Sequence, residues 1–143
     1  MRDHETDEPL TEELLEELMS APSIVRYVGK HDLETPGLSE YLNRQLEERG
    51  LKLADVLRNA EIEHTFGWYV FNGQRGIGRD NMLKLCFAME FDVRHANRAL
   101  QAAGVNTLYP KNRRDAIVIF CLEHGCTLQQ ANEVLYDFGE ECL

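Results

Sequence analysis

Apolar residues recur at intervals of three and four along nearly the whole chain, and glycine repeatedly closes the pattern. Leu38, Tyr41, Leu42 and Leu46 share one helical face, and Gly50 follows where a left-handed stop is wanted. Leu53, Val56, Leu57 and Ala60 repeat the spacing over a shorter stretch, and a further segment, 64–71, closes at Asn72-Gly73. Met82, Leu83, Leu85, Cys86, Phe87 and Met89 leave almost no polar side, as in a central buried helix. Residues 94–103 stop at Gly104, and 113–124, with Ala116, Ile117, Phe120 and Cys121 on one face, stop at Gly125. Thr127 and Gln130 form a capping box for a last helix whose apolar face is Leu128, Ala131, Val134, Leu135 and Phe138. Two-residue alternation comes closest at 68–72, which is short. The expected fold class is all-α.

Punctuation divides the chain. Thr11 is the expected N-cap of a first helix running to Ser20, with Leu10 and Leu15 as a hydrophobic staple and Leu14, Leu15, Leu18 and Met19 as its apolar face. Ala21-Pro22-Ser23 interrupts it, residues 24–28 form a short second helix, and Thr35-Pro36-Gly37 is a break. Tyr109-Pro110 is another, because the residue before proline disfavours helix. The expected organisation is an acidic helical arm over 1–37, a central domain over 38–104, and a helical hairpin over 105–143 packed on it. At 143 residues the chain suits one compact domain, or a small domain with an added helical layer.

Charge is distributed along the same divisions. The net charge of -10 argues against a nucleic-acid partner until it is mapped, since phosphate neutralisation supplies most of that binding energy. Residues 1–50 carry 5 Lys/Arg against 13 Asp/Glu, residues 51–114 carry 10 against 6, and residues 115–143 carry none against 6. The middle is thus net +4 between ends of -8 and -6. The longest apolar run, 116–122, is far too short to cross a bilayer, and the acidic start has no secretory character. The four cysteines, three of them in or beside apolar stretches, read as buried thiols. These features point to the cytoplasm and to no membrane.

The segment from Arg49-Gly50-Leu51 to Leu85 has a short helix, a three-residue turn at Glu61-Ile62-Glu63, a second short helix, Asn72-Gly73-Gln74-Arg75, and a buried third helix. It resembles the Cro and phage-repressor (XRE-type) family of helix-turn-helix domains, over roughly residues 38–100. The resemblance implies a lambda-repressor-like five-helix bundle, between the N-terminal arm and the C-terminal hairpin, whose second motif helix enters the major groove. It implies a homodimer on double-stranded DNA, with Glu63, His64, Thr65, Trp68 and Asn72 facing the groove and Ile62 and Val70 facing the core. His64, Thr65, Trp68, Asn72 and Gln74 are the expected base contacts, and Lys52, Arg75 and Arg79 the expected phosphate contacts. Three motif positions depart from the family pattern. Leu57 stands where a small residue is usual, Glu61 where glycine is usual, and Gly67 where Ile or Val is usual.

The second motif helix is rich in aromatics, Phe66-Gly67-Trp68-Tyr69-Val70-Phe71, and lacks the Arg, Lys, Gln and Asn that make the common bidentate base contacts. Two functions therefore follow. One is a DNA-binding transcriptional regulator; the other is a protein-interaction module that keeps the helix-turn-helix fold and holds a partner protein through aromatic and acidic surfaces. Cys121, His124, Cys126 and Cys142 have no recognised zinc spacing and read as structural. Lys111, Arg113 and Arg114 either touch DNA backbone or balance Asp115 and the acidic end. No catalytic constellation and no cofactor is expected.

Overall fold

The computed structural model describes residues 11–31 and 37–143, which contain nine helices and no strand. They divide into two compact units, residues 11–31 and residues 37–143. None of the helices is long and apolar enough to cross a membrane.

The first unit is a hairpin of α1 (Thr11–Ser20) and α2 (Ile24–Lys30). The Ser23 hydroxyl caps α2 by accepting from the Arg26 N–H. Tyr27, buried on α2, donates its hydroxyl to the Leu14 carbonyl at 3.5 Å. Lys30 Nζ and His31 Nε2 each take one oxygen of the Glu17 carboxylate, at 2.6 and 2.9 Å. The expected staple from Leu10 and cap from the Thr11 side chain lie outside the described residues, as do Thr35 and Pro36 of the expected break.

The second unit holds α3 (Leu38–Arg49), α4 (Leu53–Asn59), α5 (His64–Phe71), α6 (Arg79–Ala88), α7 (Val93–Ala102), α8 (Arg113–Glu123) and α9 (Leu128–Asp137). As the all-round apolar pattern requires, α6 is central: Met82, Leu83, Leu85, Cys86 and Phe87 are buried, and it packs on α4, α7 and α9. One core runs from Tyr41 and Leu42 through these residues to Val118, Cys121, Leu128 and Ala131, so α8 and α9 share it. The buried face of α8 differs from the expected one. Asp115, Val118, Cys121 and Leu122 point inward, while Phe120 is exposed and stacks on His124 with ring centroids 3.8 Å apart.

Each helix from α3 to α9 ends on the same device. A left-handed residue follows the last turn, and the next N–H reaches back five residues: Leu51 to Leu46, Ile62 to Leu57, Gln74 to Tyr69, Phe91 to Cys86, Val105 to Leu100, Cys126 to Cys121, and Glu140 to Leu135. Glycine supplies five of these stops without strain, but the stops after α4 and α6 are Glu61 and Glu90, at φ 55° and 59°. Their Cβ atoms make that geometry unfavourable. Glu61→Gly is therefore expected to raise stability by about 0.5–1 kcal/mol, the relief of the left-handed angle less the entropy glycine adds to the unfolded chain. Urea denaturation reads it; a loss of stability would mean that the Glu61 side chain contributes more than its strain costs.

Candidate nucleic-acid interface

The pair α4 and α5 is held by a contact that joins two of the departures from the family pattern. Leu57 on α4 is fully buried and lies directly against Gly67 on α5. A Cβ added to Gly67 would fall 3.0 Å from Leu57 Cγ and closer to both its methyl groups. The large residue on the first helix thus occupies the space that the second helix has vacated. The core-facing positions Ile62 and Val70 are buried, as the resemblance implies.

The other end of α5 is fixed by α3. The Ser39 hydroxyl and Asn43 Nδ2 both donate to the Phe71 carbonyl, the latter at 2.7 Å. Asn72 Nδ2 donates to the Trp68 carbonyl at 2.8 Å. The bonds to Phe71 satisfy a carbonyl that the helix end would otherwise leave open, whereas the Trp68 carbonyl also accepts the Asn72 N–H.

With Gly67, Val70 and Phe71 turned inward, α5 presents His64, Thr65, Trp68, Tyr69 and Asn72 to solvent. Trp68 is 48% exposed and Tyr69 37%, and their rings meet edge to face at 5.5 Å. Tyr69 was not among the residues expected on this face. The signal for it is the spacing: positions 64, 65, 68, 69 and 72 of a helix form one stripe. Gln74 and Arg75 follow, both exposed, with the Arg75 guanidinium 5.9 Å from the centre of the Phe66 ring. Lys52, exposed at the N-cap of α4, makes no side-chain cap bond there.

Glu63, expected to face the groove, is the N-cap of α5. Its carboxylate accepts from the Phe66 N–H at 2.8 Å and the Thr65 N–H at 3.0 Å. Those bonds, led by the one from Phe66, hold its carboxyl below the usual range and keep it ionised. The negative charge occupies the place where a phosphate would otherwise meet the helix axis.

Arg79 is a correction to the expected phosphate contacts. It opens α6, but its guanidinium is committed within the fold: Nη1 and Nη2 grip the Asp115 carboxylate at 3.0 and 2.8 Å, and Nε and Nη2 donate to the carbonyls of Asn106 and Thr107. The next residue, Asp80, receives two bonds from Arg114, at 2.9 and 3.1 Å. Arg114 holds the Asp80 carboxyl below its usual range. The dipeptide Arg79-Asp80 on α6 thus pairs crosswise with Arg114-Asp115 on α8. Arg113 and Arg114 also bind the chain end, donating to the carbonyls of Phe138, Glu141 and Cys142. Arg58 pairs with Asp55. Arg58, Arg79, Arg113 and Arg114, among the ten cations of residues 51–114, are therefore in ion pairs within the fold.

No cluster of three or more metal-ligating side chains assembles among the described residues. His124, the imidazole of the weak zinc idea, places Nδ1 2.8 Å from the Phe120 carbonyl. Burial, with Cys126 alongside, pushes the Cys121 thiol up to about 11, so it is protonated at neutral pH. No protein-family description, curated protein or solved structure matches this chain.

Proposed function

We propose that the protein is a DNA-binding transcriptional regulator of the helix-turn-helix class that acts in the cytoplasm, with α4 and α5 as the motif. The observation that carries the proposal is the solvent face of α5. A helix fixed at both ends exposes His64, Thr65, Trp68, Tyr69 and Asn72 as one stripe, continued by Gln74 and Arg75. The succession α3 to α7 supports reading residues 38–104 as the five-helix layout of the Cro and phage-repressor class. In this proposal His64, Thr65, Asn72 and Gln74 hydrogen-bond base edges, Trp68 packs against thymine methyl groups, and Lys52 and Arg75 hold phosphates. Arg79 is left out because four of its five donors are used within the fold.

The test is binding to DNA from upstream of the protein's own gene, at two salt concentrations, with an unrelated duplex as control. Affinity is expected to fall steeply with salt, and Trp68→Ala to reduce discrimination over the unrelated duplex about tenfold, one good base contact. Equal affinity for both duplexes would overturn the proposal.

A second reading, a protein-interaction module, is favoured by the exposed Trp68–Tyr69 pair and by the Glu63 carboxylate at the helix entrance. It predicts no salt-dependent DNA binding, and a protein partner that Trp68→Ala releases.

A further inference from the structure

The stop that joins α8 to α9 differs from the other helix stops in carrying a thiol at both ends. A stop of this kind brings together the two side chains that its five-residue bond joins, and at Leu46 with Leu51, Leu57 with Ile62 and Leu100 with Val105 both are aliphatic. Here they are Cys121 and Cys126. The Cys126 N–H donates to the Cys121 carbonyl at 3.0 Å. With standard bond lengths at either end, such a bond keeps the two Cα atoms within about 7 Å, the span beyond which a disulfide cannot close. The thiols lie within hydrogen-bonding distance of each other. Cys121 is fully buried, whereas Cys126 is half-buried and lines a cleft between α9 and the ends of α4 and α6. The other two thiols are placed differently. Cys86 is buried and has Phe91 as its partner in the stop after α6, and the exposed Cys142 donates to the Asn132 carbonyl at 3.5 Å.

We propose that Cys121 and Cys126 form a redox site, which a hydroperoxide converts to an intrachain disulfide across the α8–α9 turn. The cleft selects the oxidant. Glu61, Glu90, Glu133 and Asp137 line it, and its one cation, Arg58, is paired with Asp55, so a small uncharged peroxide enters where an anionic oxidant is repelled.

Cys126, the accessible member, attacks the peroxide as its thiolate. The O–O bond breaks, the leaving oxygen takes a proton, and Cys126 becomes a sulfenic acid. The Cys121 sulfur then attacks the Cys126 sulfur. As the S–S bond forms the S–O bond breaks, and the Cys121 proton leaves with the hydroxide as water. Two thiols thus give up two electrons, and the peroxide is reduced to an alcohol and water, or to water alone from hydrogen peroxide. The site goes beyond the DNA-binding proposal and does not rest on it.

The reduced full chain, treated with hydrogen peroxide, alkylated, and digested after glutamate without reduction, tests the pairing by mass spectrometry. Cleavage at Glu123 and Glu141 separates Cys121, Cys126 and Cys142. Peptides joined through Cys121 and Cys126 are expected to exceed any joined through Cys142 at least about tenfold, because the folded turn holds the two thiols together. Cys126→Ser should leave the other thiols open to alkylation. Cys121→Ser should leave a sulfenic acid on Cys126 that dimedone traps, and Cys142→Ser should form the link at the wild-type rate. A wild-type chain in which peroxide forms no link between Cys121 and Cys126 overturns the proposal. So does a mixture of pairings equal to that of the urea-unfolded chain.

Discussion

A chain carrying both Leu57→Ala and Gly67→Val is expected to lose clearly less stability than the two single changes lose in sum. Leu57→Ala removes a fully buried side chain, a loss of about 2–5 kcal/mol set by how far the site collapses. Gly67→Val drives a branched side chain into the Leu57 methyl groups. Overpacking of that kind costs about 1–3 kcal/mol, partly offset because valine is the better helix former. Together the valine fills the volume that the alanine vacates, so the coupling is expected to reach about 2 kcal/mol, near the upper part of the range for residues in contact. Urea denaturation of the four proteins measures it. Additive losses would mean that the two positions do not share one space. The double variant also has the small-then-branched arrangement usual in the family, so retained DNA discrimination would show that the departure alters packing and leaves the exposed face of α5 intact.

That reciprocity explains what the sequence could and could not show. The edges of α4 and α5 were readable because local chemistry marks them: Glu61-Ile62-Glu63 breaks the periodicity and Asn72-Gly73 stops it. The strain at Glu61 was readable too, since a stop of that shape takes a left-handed residue whatever its identity. Leu57 and Gly67 instead looked like two separate defects, because compensation between helices is pairwise and leaves no periodic signal. Phe120 was assigned to the core because most of α8 is apolar, so spacing alone cannot orient that helix. Tyr69 stood in a run of aromatics and was passed over, although helical spacing sets it in one stripe with His64, Thr65, Trp68 and Asn72. The role of Arg79 depends on Asp115, 36 residues later, and a composition map counts both without pairing them.

Arg79 and Arg75 are consequently expected to respond in opposite ways to the same substitution. Asp115 keeps 8% of its side chain exposed and serves Arg79 twice and the Tyr109 N–H once. Arg79→Ala removes both guanidinium bonds and leaves the nearly buried carboxylate with the Tyr109 N–H. Breaking a buried pair by losing one partner costs about 3–5 kcal/mol. Asp115→Ala should cost less, about 3 kcal/mol, because the Arg79 side chain is 25% exposed and can regain water. Neither change should alter the salt slope of DNA binding measured on folded protein, since no donor of Arg79 used within the fold is free for phosphate. Arg75→Ala should do the reverse: stability holds within about 0.5 kcal/mol, as for an exposed site, while the salt slope falls by about 1. Urea unfolding and binding at two salt concentrations, run on the same three variants, separate these outcomes. If Arg79→Ala lowers the slope and leaves stability unchanged, the crosswise Arg–Asp pairing of α6 and α8 is not what holds that guanidinium. If Arg75→Ala leaves both unchanged, the loop after α5 touches no phosphate, and the second reading of the α5 face gains the ground that DNA binding loses.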